Sequence, residues 1–350
     1  MDKNCVINLT NLIYNLNQIK KHTNKKIIAV VKADAYGHGA VEIAKVLEKE
    51  RVAYLAVARI SEALVLRKAN IKTPILILSP IDPSDISLAL ENDLTLTIFS
   101  LDWLKKITPK EKIKLHLKVD TGMNRLGLKS IDEIKEAISI IKNNENLCLE
   151  GIYTHYATVD TNDELYFKQR DFFVQILNEI DYDFKYIHTS ASAALIKQKE
   201  DFTNAVRPGL ALYGLKPAPN LDLNLKPILS LYSNVVQIKN LKKGEFVSYG
   251  PKYVAKKDTK IAVIPIGYGD GWLRRYEDVP VVISDKHYRI VGRICMDLLM
   301  VEVDDKVLVG DTVELIGPNI TVDEIAEKVG TINYEVVTNL DKRLKRNYIR

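Results

Sequence analysis

Between residues 27 and 215, short apolar runs alternate with stretches whose apolar residues recur at helical spacing. Eight apolar runs predict strands, at 27–32, 53–58, 74–79, 94–100, 113–120, 149–155, 186–189 and 205–207. The helical patterns between them include 40–50, 61–69, 83–92, 131–143 and 164–180. Eight such units predict an α/β fold, a closed (β/α)8 TIM-type barrel whose functional residues lie at the carboxyl ends of the strands.

The pattern changes near residue 215. Residues 216–227, KPAPNLDLNLKP, are punctuated by proline and are typical of a linker. Beyond them we predict one helix at 322–329, a hairpin turn at Asp285 and Lys286, and strands at 228–238, 246–249, 260–266, 279–284 and 288–303. The chain is therefore predicted to hold two domains, the barrel at 1–220 and a mainly-β domain, a small antiparallel barrel or sandwich, at 221–350.

Composition narrows the class of protein. The chain has 350 residues, of which 47% are hydrophobic and 27% charged, as in a globular protein. It lacks both an apolar run of about 18 residues and an N-terminal signal core, so we expect a cytoplasmic protein. The three cysteines are widely separated and indicate neither a disulfide framework nor a zinc site. A net charge of +5 is small, and the basic residues at 342–350 do not predict nucleic-acid binding.

Polar and titratable side chains stand at the ends of five predicted barrel strands. Alternation along the fifth strand places His116, Lys118 and Asp120 on one face, which we expect to point into the barrel. A lone lysine at a strand end can simply extend into solvent, but several titratable groups converging on one barrel mouth predict a functional site. The residues at these ends are Lys32, Lys118, Asp120, His155, His188, Ser192 and Arg207.

A lysine at a barrel mouth can form a Schiff base with a carbonyl substrate or with pyridoxal phosphate. The second choice needs a phosphate site and a partner for the pyridine nitrogen. Pro208, Gly209 and Leu210 can turn backbone N–H groups toward a phosphate, and Arg207 can face the ring nitrogen. Because Arg-Pro-Gly is also an ordinary turn sequence, the residues alone leave both interpretations open.

Nine blocks along the chain stand in the order found in bacterial alanine racemases: IIAVVKADAYGHG, HLKVDTGMNRLG, YTHYAT, HTSASAA, VRPGLALYGL, VSYG, PIGYGDGW, VGRICMD and GTINYE. The chain resembles this family from end to end. The resemblance implies a pyridoxal 5′-phosphate barrel followed by a β domain, in a homodimer whose active sites are each completed by the partner's β domain. It also implies that alanine is the substrate and that D-alanine supplies cell-wall peptidoglycan.

The resemblance assigns roles to matching positions. Lys32 resembles the lysine that binds the cofactor, and Arg207 resembles the arginine at the pyridine nitrogen. Further cofactor positions are Tyr36, His155, Ser192, Gly209, Leu210 and Tyr334, of which Tyr334 also resembles an entrance tyrosine, as does Tyr268. The substrate-carboxylate positions are Arg125, the backbone of Met296, and Asp297 beside them.

Racemisation needs an acid/base group on each face of the substrate Cα. By resemblance these groups are Lys32, acting on D-alanine, and Tyr249, acting on L-alanine. Because free tyrosine titrates near pH 10, a basic role for Tyr249 needs nearby positive charge. The resemblance also implies that the neighbouring subunit supplies Tyr249, Tyr268, Met296 and Asp297.

Lys118 and Arg125 are two cations that the resemblance places close together. Their repulsion in a confined site favours a carbamylated Lys118, as is frequent at this position in the family. Ala191 and Leu298 depart from the usual asparagine and glutamine, which leaves room for altered substrate preference. The alternatives are a racemase acting on serine or other amino acids, a barrel-type decarboxylase, and a non-catalytic pyridoxal-phosphate carrier.

Overall fold

The computed structural model describes residues 3–197, 200–218, 221 and 223–350. After a first strand, β1 (Asn4–Asn8), eight parallel strands close into a barrel in chain order, which confirms the predicted architecture. These strands are β2 (Lys26–Val30), β3 (Tyr54–Val57), β4 (Ile75–Ile77), β5 (Leu94–Ile98), β6 (Ile113–Lys118), β7 (Leu147–Tyr153), β8 (Tyr186–His188) and β9 (Ala205–Val206). Every residue of β3, β4 and β5 is buried, as expected for strands covered on both faces.

Helices follow the barrel strands and cover the barrel. The described helices of the chain are α1 (Leu9–His22), α2 (Lys32–Tyr36), α3 (Ala40–Lys49), α4 (Ile60–Lys68), α5 (Ile86–Glu91), α6 (Leu101–Lys106), α7 (Ile131–Lys142), α8 (Asp163–Glu179), α9 (Ser192–Lys197), α10 (Val322–Val329) and α11 (Asn333–Thr338). The start of α7 is set by a capping box, in which the Ser130 hydroxyl accepts from the Glu133 N–H while the Glu133 carboxylate accepts from the Ser130 N–H. The predicted helix at 83–92 is a 3-10 turn, Pro83–Asp85, followed by α5.

The C-terminal part is mainly β. Its strands are β10 (Leu229–Asn234), β11 (Gln237–Leu241), β12 (Phe246–Val247), β13 (Tyr253–Val254), β14 (Thr259–Ile264), β15 (Val281–Ile283), β16 (Lys286–Tyr288), β17 (Leu299–Val303), β18 (Thr312–Ile316) and β19 (Arg346–Ile349). They form a six-stranded sheet in the order β16-β15-β18-β10-β1-β19, a three-stranded sheet β11-β14-β17 and the pair β12-β13. Strand β1 therefore joins the sheet of the C-terminal part, antiparallel to β10 and parallel to β19.

Three details of the predicted β region are wrong. The apolar run at 288–303 is not one strand, because residues 292–298 form a loop in which Gly292 has a φ of +71° and the Cys295 N–H donates to the Leu298 carbonyl. The run at 228–238 is divided between β10 and β11. The hairpin turn lies one residue earlier than predicted, since Ser284 and Asp285 have positive φ values and Lys286 pairs with Ile283.

The predicted boundary at residue 220 lies outside the described residues, so the division into 1–220 and 221–350 stays a prediction. None of the helices in the described part of the chain combines the length and the apolar character needed to cross a membrane. The cytoplasmic location also stays a prediction.

Candidate active site at the barrel mouth

A cavity of about 730 Å³ opens at the carboxyl ends of the barrel strands. It brings together most of the predicted site residues, namely Lys32, Tyr36, Lys118, Arg125, His155, Ser192, Arg207, Gly209, Leu210 and Tyr334. A more open groove of about 830 Å³ lies on the C-terminal sheets, but its charged side chains are largely engaged with each other, as in the Lys242–Asp258 and Lys286–Asp304 pairs. The barrel cavity is therefore the candidate active site.

Lys32 begins an unusual turn rather than ending a strand. Strand β2 stops at Val30, and the four residues after Lys32, Ala33 to Tyr36, have φ values between 52° and 54°, the left-handed region. Each L-residue held there costs roughly 1–2 kcal/mol. The Glu62 carboxylate offsets part of this cost, because it accepts the Ala33 N–H at 2.6 Å and the Ala58 N–H at 2.7 Å. The turn thus directs Lys32 into the cavity, where Val30 also lies.

The same turn is clamped by residues from the far end of the described chain. A Cβ atom at Gly37 would lie 2.3 Å from the Val337 carbonyl oxygen, so only glycine permits this approach. Arg346 Nε donates to the Gly37 carbonyl at 3.0 Å, and the Tyr348 hydroxyl donates to the His38 carbonyl at 3.3 Å. The position of Lys32 therefore depends on contacts with residues that lie more than 300 positions later in the sequence.

Hydroxyl and backbone N–H groups form a small cradle on one side of the cavity. Ser192 Oγ accepts the Gly209 and Ala211 N–H groups, each at 3.2 Å. A Cβ atom at Gly209 would lie 2.6 Å from Tyr36 Oη, so the absence of a side chain lets the phenol approach this backbone. Burial raises the pKa of Tyr36, which keeps its hydroxyl available as a donor. Such a cradle suits a phosphate group.

Arg207 is fixed by an unusually complete set of acceptors. Its Nη1 donates to His188 Nδ1 and to the His188 carbonyl, both at 2.7 Å. Its Nη2 donates to the carbonyls of Thr154 at 2.6 Å and Thr189 at 2.8 Å. Burial lowers the pKa of Arg207 to about 10, which still leaves the guanidinium charged at neutral pH. The side chain therefore presents a rigid cation to the cavity.

A pair of buried histidines continues this network into the barrel core. Because His188 Nδ1 accepts from Arg207, its Nε2 carries the proton and donates to His116 Nδ1 at 2.8 Å. Burial lowers the pKa of His116 to about 3 and holds that of His188 well below its ordinary value. Both imidazoles are therefore neutral at physiological pH. Tyr153 stacks on His188 and lies under both Arg207 and Lys118.

Lys118 and His155 also line the cavity, and the pKa values of both are lowered. Burial, followed by the charges of Arg207 and Arg125, holds the pKa of Lys118 well below its ordinary value. The pKa of His155 is lowered by burial and then by Arg207. Asp120 does not line the cavity; its Oδ1 accepts the N–H groups of Gly122 at 3.0 Å and Asn124 at 2.9 Å, and so shapes the loop before Arg125.

The charges of the cavity indicate its ligand. Among the described residues that line it, Asp160 alone is acidic, whereas Lys32, Lys118, Arg125 and Arg207 are basic. Burial, and next the charge of Arg125, lower the pKa of Lys32, which favours the neutral amine that attacks a carbonyl. The cavity therefore suits an anionic ligand, with Lys32 suited to bond a carbonyl carbon and the Ser192 cradle suited to a phosphate.

Four predicted site residues of the C-terminal part lie outside the residues lining this cavity. Tyr249, Met296 and Asp297 belong to loops of the C-terminal part, and the side chains of Tyr249 and Met296 are 72% and 53% exposed. Tyr268, the predicted entrance residue, is 39% exposed. Within one chain, the predicted acid/base residue Tyr249 and the loop predicted to bind the substrate therefore do not line the cavity that holds Lys32.

Sequence reasoning also missed residues that the site uses. Glu62 holds the left-handed turn from a helix start, where its pattern is that of an ordinary capping glutamate. Tyr153 is the last residue of β7 and lies two positions before His155, so the parity that points to His155 places Tyr153 on the same face, although it gives Tyr153 no role. Glu200 is buried and accepts hydrogen bonds from Tyr156 and Tyr166 at 2.8 and 3.0 Å, and no local sequence pattern signals this role.

Comparisons with known proteins identify the same family for the barrel and for the C-terminal part of the chain. Residues 7–217 match the family model "Alanine racemase, N-terminal domain", and residues 228–348 match "Alanine racemase, C-terminal domain". The sequence is 40% identical to alanine racemase 1 of Bacillus subtilis (98% of this chain, 92% of the relative) and 41% identical to alanine racemase of Lactobacillus acidophilus (98% and 96%). A crystal structure of alanine racemase from Bacillus anthracis with bound L-Ala-P is 39% identical and superposes with a TM-score of 0.94, over 100% of this chain and 95% of that one.

Proposed function

The chain belongs to the alanine racemase family, and we propose that it is an isomerase that interconverts L-alanine and D-alanine with pyridoxal 5′-phosphate as cofactor. The observation that carries this proposal is the barrel cavity, whose lining is rich in basic residues and includes both a lysine of lowered pKa and the Ser192 cradle. In the cell, we propose that the product D-alanine supplies peptidoglycan.

The residues of the cavity fit this cofactor. Lys32 would hold its carbonyl carbon, Arg207 would face the ring nitrogen, and the phosphate would be held by Tyr36, Ser192 and the backbone of Gly209 and Leu210, with His155 and Tyr334 beside it. When bound, pyridoxal phosphate draws electrons from the substrate Cα and so acidifies the Cα proton. Because Arg207 keeps its charge, it favours an unprotonated ring nitrogen and moderates this effect. A moderate electron sink favours return of the proton to Cα.

The proton is exchanged by two groups on opposite faces of Cα. We propose that Lys32 removes or returns it on the face of D-alanine and that Tyr249 of the partner subunit does so on the face of L-alanine. Arg125 and the backbone N–H of Met296 orient the substrate carboxylate, and Asp297 lies beside Met296 in the same loop. The exposure of Tyr249 and Met296 in a single chain supports a homodimer in which each C-terminal part completes the partner's cavity.

Lys118 lies in a pocket that disfavours an ammonium. We propose that its amine nitrogen bonds to the carbon of CO₂ and releases a proton, giving a carbamate whose negative charge orients Arg125. We expect a carbamate signal by NMR in the presence of isotopically labelled bicarbonate, lost in Lys118→Ala together with a rise of about 10-fold in the KM for alanine. The control is Lys114→Ala, an exposed lysine on the same strand. A bare ammonium on Lys118 in a diffraction map would refute the carbamate.

Solvent deuterium provides the direct test of the proposed activity. The purified protein, loaded with pyridoxal phosphate in deuterated water, is expected to convert L-alanine into D-alanine that carries deuterium at Cα. A carrier protein would incorporate none, and a decarboxylase would release CO₂. A panel that includes serine separates a narrow racemase from a broad one, for which Ala191 and Leu298 leave room.

A further inference from the structure

We propose that Arg343 is a positioning residue that holds the loop 295–298 in place for the active site of the partner subunit. This inference rests on the proposed shared active site. Arg343 does not line the cavity of its own chain, and it joins two carboxylates from different loops. Its Nε donates to Asp270 Oδ1 at 2.7 Å, and its Nη2 donates to Asp297 Oδ1 at 2.6 Å.

The Asp270 end of this bridge is rigid. The Asp270 side chain is fully buried, accepts from Lys3 Nζ at 2.7 Å through both oxygens, and accepts the Gly267 N–H at 3.0 Å. Burial alone would raise the pKa of Asp270, but the hydrogen bonds from Arg343 and Lys3 outweigh it and lower the pKa. Asp270 therefore remains ionised and fixed, and it anchors the Arg343 guanidinium.

The Asp297 end of the bridge is exposed, and it belongs to the loop that carries Met296. Two backbone hydrogen bonds hold this loop against residues 267–269: the Tyr268 N–H donates to the Cys295 carbonyl at 3.0 Å, and the Gly269 N–H donates to the Met296 carbonyl at 2.8 Å. The Met296 carbonyl therefore points toward residues 267–269. The Met296 N–H, which we propose binds the substrate carboxylate, keeps the orientation that these two hydrogen bonds impose on the loop.

Glycines make this contact possible. A Cβ atom at Gly267 would lie 2.2 Å from the Cys295 carbonyl oxygen, and one at Gly269 would lie 2.9 Å from Arg343 Nη2. The two loops and the guanidinium therefore pack as one layer. The side chains that project from this layer, Tyr268 and Met296, are partly exposed in the single chain and face away from its core.

The geometry needs an arginine. A planar guanidinium can donate along two directions to two carboxylates at once, whereas a lysine ammonium has a single nitrogen at the end of its chain. Lysine at position 343 would keep one ion pair with the anchored Asp270 and release Asp297. Since a displacement of about 1 Å at a binding group can cost about 10²-fold, loss of this bridge should weaken substrate binding.

The first test compares Arg343→Gln and Arg343→Lys with the wild-type holoenzyme dimer. We expect the KM for alanine to rise about 10-fold or more while kcat changes only a few-fold, because a carboxylate contact acts equally in the ground state and the transition state. The amides of Tyr268 and Gly269 should exchange hydrogen faster. Arg289→Gln removes another exposed arginine–carboxylate pair, with Glu302, and should leave both measurements unchanged. Wild-type KM in both Arg343 variants would overturn the proposal.

The second test determines whether the loss of Arg343 raises the KM of the active site in its own subunit or in the partner subunit. In a mixed dimer of Arg343→Gln with Lys32→Ala, the complete site combines the Lys32 of the first chain with the intact Arg343 and loop of the second. We expect this site to show the wild-type KM. A raised KM would mean that Arg343 acts within its own barrel, and would overturn the inference. Failure of a Lys32→Ala and Tyr249→Phe mixture to regain any activity would instead refute the shared site itself.

Discussion

Replacement of Lys32 by alanine is expected to lower kcat/KM for alanine by at least about 10⁴-fold in both directions. The loss combines two functions of one amine, the hold on the cofactor carbonyl and the proton transfer at Cα, and proton transfer alone is worth about 10²–10⁴-fold. Burial and the charge of Arg125, which lower the pKa of Lys32, prepare the neutral amine for both functions. Steady-state racemisation assays, together with the absorbance of the bound cofactor, measure the two losses separately.

Lys26→Ala provides the matched control for this experiment. Lys26 begins strand β2, and its ammonium lies 4.7 Å from the centroid of the Tyr186 ring, outside the residues that line the cavity. It should retain wild-type activity and cofactor absorbance. Full racemase activity in Lys32→Ala would show that another group holds the cofactor, and the proposed mechanism would fail.

Replacement of Tyr249 by phenylalanine is expected to lower kcat/KM by about 10²–10⁴-fold without reducing cofactor binding. The ring is retained and only the hydroxyl is lost, so the effect reports on proton transfer. Both directions should fall by the same factor, because the equilibrium constant fixes the ratio of kcat/KM for L- and D-alanine. Tyr253→Phe, a change in the neighbouring strand β13, is the control and should leave activity unchanged.

Mixing the two inactive variants tests the shared site. If Tyr249 serves the partner, an equal mixture of Lys32→Ala and Tyr249→Phe chains forms mixed dimers in which one of the two sites has both groups. Random exchange makes half of the dimers mixed, so about a quarter of the wild-type activity should return. No recovery after verified subunit exchange would mean that Tyr249 acts within its own chain.

The barrel could be predicted because its signal is local. Strands β3, β4 and β5 are buried along their whole length, so each reads as an apolar run, and alternation along β6 correctly placed His116 and Lys118 inside. The cavity residues could also be predicted, because the carboxyl ends of parallel barrel strands meet at one mouth of the barrel. Lys32 itself lies two residues beyond the end of β2, but the direction of the strand still delivers it to the cavity.

The features that escaped prediction depend on distant parts of the chain. Strand β1 pairs with β10 and β19, and nothing in its five residues indicates these partners. Residues 289–298 are apolar enough to predict a continuous strand. Residues 289–291 do pair with β17, but after Gly292, which has a positive φ, the segment forms a loop that bonds to residues 267–269. The left-handed turn after Lys32 contains Ala33 and Ala35, residues with no preference for positive φ, and its contacts with distant residues such as Glu62 could not be predicted from the local sequence.

The clamp on that turn also has a consequence for the order of events during protein synthesis. Arg346 and Tyr348, which bind the carbonyls of Gly37 and His38, leave the ribosome about 300 residues after the lysine that they help to place. At roughly 5–20 residues per second, the growing chain spends about 15–60 s without these contacts. During that interval the strained turn can form its Glu62 hydrogen bond but lacks the two hydrogen bonds from Arg346 and Tyr348, so we expect Lys32 to reach its final position only in a chain translated at least to Tyr348. The fold thereby couples the final position of Lys32 to synthesis of the chain as far as Tyr348.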